Sequence, residues 1–345
     1  MSQASDAVRE VLPLGFPWVT ADPFLFCVYH RDQYPAGNAE LGPKASLAGR
    51  DLGMDFTLKD GWRMYHGETV PGFPGHPHRG FETVTVVQQG RVDHADSLGA
   101  AGRYGDGDVQ WLTTGKGIQH AEMFPLLHQD QENPLELFQI WLNLPRASKM
   151  AEPHFKMFWH ENTPIYTSPD GQTRVKLVAG SLDGLSAPTP PPASWAADPA
   201  HHVAIWVIDM APGARWQLPA AAAELNRMLY CFGGGLSVAG TALQPEQDAR
   251  LDSAQAVELA SGDAPTRLLM LQGQPIAEPV AQYGPFVMNN KAEILQAFND
   301  YESTRFGGWP WDRPDPHFGP VKGRFARHAD GQEESPPEAA ASHAE

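Results

Sequence analysis

Two short stretches of this chain carry side chains that could hold a metal ion. The first is His76-Pro77-His78, at the end of the Gly/Pro-rich run Pro71-Gly72-Phe73-Pro74-Gly75. The second, about forty residues on, is His120-Ala121-Glu122. In a strand, successive side chains point to opposite faces, so residues i and i+2 share one. His76 and His78 can therefore look the same way, as can His120 and Glu122. Three imidazoles and one carboxylate gathered inside a β-barrel would make a mononuclear metal site. The same spacing also suits histidines that only hydrogen-bond at a barrel rim, and spacing alone leaves both readings open.

The elements that must position these residues read as short strands between turns. Phe24–Tyr29, Phe81–Val87, Asp108–Leu112 and Leu135–Leu144 are apolar or alternating, and Gly105-Asp106-Gly107 is a tight turn. The pattern predicts a β-sandwich or barrel. A second β-rich region holds strand candidates at Arg174–Gly180, His202–Met210, Arg227–Phe232 and Arg267–Leu271. The proline-rich stretch Ala187–Pro192 reads as a surface loop within it. One helix is predicted near the end: Asn290 is an N-cap with Glu293 three residues on, and Ile294, Leu295, Phe298 and Tyr301 share a face. Residues 1–11 read as a loose polar arm. Residues 329–345, rich in Ala, Glu, Pro and Ser, read as a disordered tail. The expected domains are 12–150 and 165–288, followed by the helical segment 289–308. The aromatic and proline-rich segment 309–318 could wrap a barrel, cover a site mouth or make a dimer contact.

Composition narrows the function. The 345 residues are 42% hydrophobic, enough for packed cores. Lys and Arg number 25 against 41 Asp and Glu, a formal charge of −16 without a basic cluster, which argues against binding nucleic acid. The two cysteines, Cys27 and Cys231, form no metal or redox motif and suit a reducing compartment. The first residues lack a secretory pattern, and no apolar run approaches the roughly 20 residues of a membrane span. A soluble cytoplasmic protein is expected.

The blocks His76-Pro77-His78-Arg79-Gly80-Phe81-Glu82-Thr83, Asp108-Val109-Gln110-Trp111 and Gly115-Lys116-Gly117-Ile118-Gln119-His120-Ala121-Glu122 together resemble the signature of the pirin family of the cupin superfamily. Tyr283–Asn289 and Arg305-Phe306-Gly307 resemble its C-terminal end. The resemblance spans roughly residues 15–307. It implies an all-β bicupin: two tandem antiparallel β-barrels of jelly-roll type with a short C-terminal helix, the first barrel carrying iron. The family's ligands fall on His76, His78, His120 and Glu122. Many cupins use a glutamate a few residues after the His pair, here Glu82. The pirin pattern takes its carboxylate from the second block, leaving Glu82 a structural role. The second barrel has no His-x-His, since His201 and His202 are adjacent, and no metal is expected there. His30, His66, His94, His128, His154 and His160 have no such partner and are expected at the surface or hydrogen-bonded in the core. His66 is a candidate for lining the pocket.

Three neutral imidazoles and a carboxylate suit Fe, Mn, Co, Ni, Cu or Zn; the resemblance implies Fe(II). It also implies a ring-opening dioxygenase of the quercetin 2,3-dioxygenase type, acting on a phenolic or flavonol substrate with dioxygen, with Glu122 as catalytic base. The alternative is a metal-dependent regulatory protein that binds a protein partner without turnover.

Overall fold

The computed structural model describes residues 7–337. Strands dominate, with a single α-helix at Lys291–Thr304 among the described residues. The chain forms two compact units. Among the described residues, one comprises Tyr29–Ile140, Arg146–Asn162 and 278–337. The other comprises 7–28, Trp141–Pro145 and Thr163–Ala277.

The first of these units holds the candidate ligands. Its five-stranded sheet runs in the order His154–Phe158, Val109–Thr113, Phe81–Gln89, Asn133–Asn143, Phe24–Tyr34. Its six-stranded sheet runs in the order Glu333–Glu334, Phe325–Arg327, Ala101–Gly105, Arg91–Asp96, Ile118–Met123, Gly72–His78. A single apolar core takes side chains from both: Val87, Leu112, Leu137 and Phe155 from the first, Val92, Tyr104 and Ile118 from the second. Burying one face of each sheet against the other makes a sandwich stable in water. Ala101–Gly105 and Ile118–Met123 are buried at every residue, so their outer face is covered as well.

The other unit pairs a seven-stranded sheet, centred on Asn226–Gly233, Thr266–Gly273 and Ala204–Met210, with a four-stranded sheet around Val257–Ser261. Trp206, Ile208, Leu229 and Met270 meet Leu218, Leu236 and Leu259 in its core.

Several boundaries depart from the sequence expectations. Residues 7–11 are not a loose arm: Val8–Pro13 lies antiparallel to Gln247–Leu251 and completes an edge of the seven-stranded sheet. Residues 278–288 leave the second β-rich region. Their hairpin, Ala281–Tyr283 with Phe286–Met288, packs with the helix in the ligand-bearing unit, so the domain expected at 165–288 ends at Ala277. The tail expected to be disordered from 329 carries a strand, Glu333–Glu334, paired with Phe325–Arg327. The rest of that tail, 338–345, lies outside the described residues.

The helix begins as its sequence dictates. Asn290 Oδ1 accepts from the Glu293 amide (3.0 Å), and Glu293 Oε2 accepts from the Asn289 amide (2.8 Å). Ile294 and Ala297 are buried against Phe286, Met288 and Phe306, with Phe298 and Tyr301 beside them. Leu295, expected on that face, is instead exposed, because one helical step of about 100° carries it off the stripe. No helix among the described residues is long and apolar enough to cross a membrane.

Candidate metal centre

Strand Gly72–His78 runs antiparallel to Ile118–Met123, with His76 directly opposite His120 and His78 opposite Ile118. A register irregularity between Phe73 and His76 re-aims the strand just before the first histidine. The result brings the three rings together. Centroids lie 4.7 Å apart for His76 and His78, 4.5 Å for His76 and His120, and 4.9 Å for His78 and His120. One nitrogen from each falls within 4.8 Å of the others.

The hydrogen bonds indicate which nitrogens are available. His76 Nδ1 lies 2.8 Å from the Pro74 carbonyl, and His78 Nδ1 lies 3.3 Å from the Pro285 carbonyl. A carbonyl only accepts, so each Nδ1 bears the proton and each Nε2 keeps its lone pair. His120 is completely buried, and neither of its ring nitrogens has a hydrogen-bond partner. Burial holds all three imidazoles neutral: His76 is pushed down to about 4, and His78 and His120 fall well below the ordinary histidine value, with the proximity of other histidines (His66 and His94 for His76) adding to the effect. Buried polar atoms without a partner are rare and costly. Three neutral imidazoles that include such orphans are fitted to a divalent cation.

Glu122 flanks this cluster. Its Oε2 is 3.9 Å from His120 Nε2. Thr85 Oγ1 donates to its Oε1 (3.1 Å) and Gln139 Nε2 donates to its Oε2 (2.5 Å). Burial raises its carboxyl above the ordinary value, while the charge of His94 and these hydrogen bonds oppose that rise. The triad of converging nitrogens thus consists of His76, His78 and His120, with Glu122 held at its side by two neighbouring strands. Glu82 is fully buried and accepts from Thr113 Oγ1 (2.5 Å), a tie between adjacent strands.

Other residues complete the surroundings. Phe73 stands beside His76, with ring centroids 6.3 Å apart, and packs on His66, Tyr65, His30 and Phe124. His66 is fixed by its Nδ1 contact to the Gly53 carbonyl (2.6 Å). His94, which sequence reasoning left without a partner, is buried 5.5 Å from the His120 ring, and its Nε2 lies 3.3 Å from Asp96 Oδ2. The His94-x-Asp96 spacing was a usable signal for that pair. Thr85 and Gln139 sat unmarked inside apolar strands, where a single polar residue on the inward face was the only clue.

Two sandwiches of this kind in one chain, one of them lined by clustered histidines, define a bicupin with one candidate metal centre among the described residues. Residues 43–142 match the Pirin family and residues 205–307 the Pirin C-terminal cupin domain. The chain is 32% identical to a protein of Rattus norvegicus named Pirin, over 81% of this chain and 92% of that one. It is 35% identical to a Pseudomonas aeruginosa protein named "Putative quercetin 2,3-dioxygenase PA2418", over 68% of this chain and 79% of that one. The solved structure of a quercetin 2,3-dioxygenase from Acinetobacter baumannii superposes with a TM-score of 0.69 at 25% identity, covering 88% of this chain and 98% of the other. The chain belongs to the pirin family.

Proposed function

We propose that this protein is a metal-dependent dioxygenase that opens the ring of a flavonol or a related enolic phenol. The observation that carries the reading is the set of three neutral imidazoles whose nitrogens converge, one from each ring, with His120 fully buried and neither of its ring nitrogens hydrogen-bonded. The likeness to proteins named for quercetin 2,3-dioxygenase supports the substrate class.

His76, His78 and His120 would hold the metal, with Glu122 as the fourth ligand, and Fe(II) is the ion we assign. Bound there, the metal supplies Lewis acidity and access to dioxygen chemistry. The chain's own residues do the rest. The Pro74 and Pro285 carbonyls fix the tautomers of His76 and His78. Glu122 Oε2 takes the proton of the substrate hydroxyl. A carboxylate with a raised pKa is a better base at neutral pH than an ordinary one. Gln139 and Thr85 keep the carboxylate aimed while it gains and loses that proton. Phe73 offers an apolar wall beside His76 for a flat aromatic ring. Ring opening of a flavonol by this route consumes dioxygen and releases carbon monoxide.

The test is aerobic incubation of iron-loaded protein with quercetin, following flavonol absorbance and carbon monoxide. Consumption of the flavonol with release of the gas supports the reading. Metal-replete protein that does neither overturns it and leaves the binding role without turnover.

A further inference from the structure

The outer face of the ligand-bearing sheet is covered by the C-terminal part of the chain, much of it beyond the family match that ends at residue 307. The covering segment meets the four central and edge strands in order. The Gly75 amide donates to the Pro314 carbonyl (2.6 Å), and the Trp309 ring is close enough to Gly75 that a Cβ there would be 3.2 Å from it. On the next strand, Gln119 Nε2 donates to the carbonyls of Arg305 (2.6 Å) and Gly308 (2.9 Å), and the Tyr301 hydroxyl donates to Gln119 Oε1 (3.0 Å). On the third, Trp311 Nε1 donates to the Asp96 carbonyl (2.8 Å), and the Phe318 amide donates to Asp93 Oδ2 (3.0 Å). On the fourth, Arg103 donates to the carbonyls of Gly319 and Lys322, both at 2.7 Å, while its other nitrogens grip Asp93. The segment then turns and joins the sheet as the strand Phe325–Arg327.

These contacts fall beside the candidate ligands. Gly75 precedes His76 and Gln119 precedes His120, so each anchor sits on the outer face one residue from an imidazole on the inner face. His78 is reached directly, through the Pro285 carbonyl at its Nδ1. Its neighbour Arg79 pairs with Asp300 of the helix (2.6 Å) and donates to the Lys116 carbonyl (2.7 Å). Two of these anchors are buried, Gln119 at 7% exposed and Arg79 at 5%, while Gly75 is exposed.

We propose that Pro285–Arg327 is a strap that holds the three imidazoles at metal distance from behind, and that Tyr301 and Gln119 are positioning residues for the metal. The proposal rests on the metal reading above. Binding three imidazoles to one ion demands placement to a fraction of an ångström, and partners behind the ligands tune metal affinity by about tenfold or more. Gln119 is the point where the strap and the His120 strand share three hydrogen bonds.

The test loads full-length protein with Co(II) and follows its visible absorption and its release to excess chelator. Gln119→Leu is expected to speed release about tenfold and Tyr301→Phe about threefold, both with altered cobalt bands. Leu259→Ala, in the core of the other unit, is the control and should lower Tm without changing release. Release unchanged in both Tyr301→Phe and Gln119→Leu overturns the strap while leaving the metal site intact. Equal acceleration by Leu259→Ala also overturns it, by reducing the effect to general loss of stability. A wild-type chain that takes up no Co(II) overturns both readings.

Discussion

His76 and His120 face each other across an antiparallel strand pair with ring centroids 4.5 Å apart, yet no side chain receives a hydrogen bond from either nitrogen of His120. An imidazole buried without partners destabilises a fold unless something else binds it, and each unsatisfied polar group costs about 1–3 kcal/mol. His120→Leu should therefore abolish metal uptake and, in chelator-treated protein, raise the stability by about 1 kcal/mol. Urea midpoints with and without added metal check both halves. A destabilised metal-free variant would mean that the histidine serves packing, not the ion.

Glu122 and Gln139 share a hydrogen bond of 2.5 Å from a strand on the opposite sheet. Glu122→Gln keeps the shape and removes the base, so flavonol turnover should fall by about a hundredfold or more while much of the bound metal remains. Gln139→Leu removes a donor that favours the charged carboxylate. The carboxyl pKa should then rise, and the acid limb of the kcat/KM profile should move to higher pH. Rates measured from pH 5 to 9 on metal-loaded protein read this directly. A limb that stays in place excludes Glu122 as the titrating base.

The ligand histidines were legible because strand alternation is rigid: His-x-His and His-x-Glu each commit two side chains to one face before any fold is known. The N-cap at Asn290 was legible for the same reason, a local rule with a local cause. The strap was not. Its carbonyls accept from groups roughly two hundred residues away, Pro314 from the Gly75 amide and Gly319 from the Arg103 side chain, and a carbonyl carries no sequence signature. Val8–Pro13 was missed because its pairing with Gln247–Leu251 depends on an edge supplied by the far end of the chain. Gln139 was hidden because one polar residue in an alternating apolar strand reads as ordinary solvent exposure.

Gly117 opens the strand that carries His120, with φ at +132° and the Phe306 ring directly over it. A Cβ there would come within 2.7 Å of that ring. Gly117→Ala must both strain the backbone and push the helix end away from the strand. A loss of about 2–3 kcal/mol is expected from the strain and the displaced contact together. Thermal unfolding of metal-free protein measures it. Gly171→Ala also has positive φ but meets nothing within 4 Å, so it should lose less. Equal losses would show that the Phe306 contact is not tight.

His30 gives the fold a pH dependence separate from the metal ligands. Its Nδ1 lies 2.8 Å from the Tyr65 hydroxyl, which donates onward to Asp32 Oδ2 (2.6 Å), with Arg63 on the other carboxylate oxygen. Burial, and then the charge of Arg63, push His30 down to about 3. The folded pKa is thus below the unfolded value of 6.5, and between the two only the unfolded chain takes up the proton. The contribution of neutral His30 is complete above pH 6.5 and is lost as pH falls toward 3, at about 1.4 kcal/mol per pH unit. The neutral metal ligands titrate in the same direction, so the comparison must be with His30→Gln in chelator. At pH 7 the variant should be the less stable, because it disrupts the Tyr65 contact. The gap should then shrink by about 1.4 kcal/mol for each unit below 6.5. Urea midpoints at pH 7, 6 and 5 decide it, and a gap that stays constant would show that His30 takes its proton in the folded state as readily as in the unfolded one.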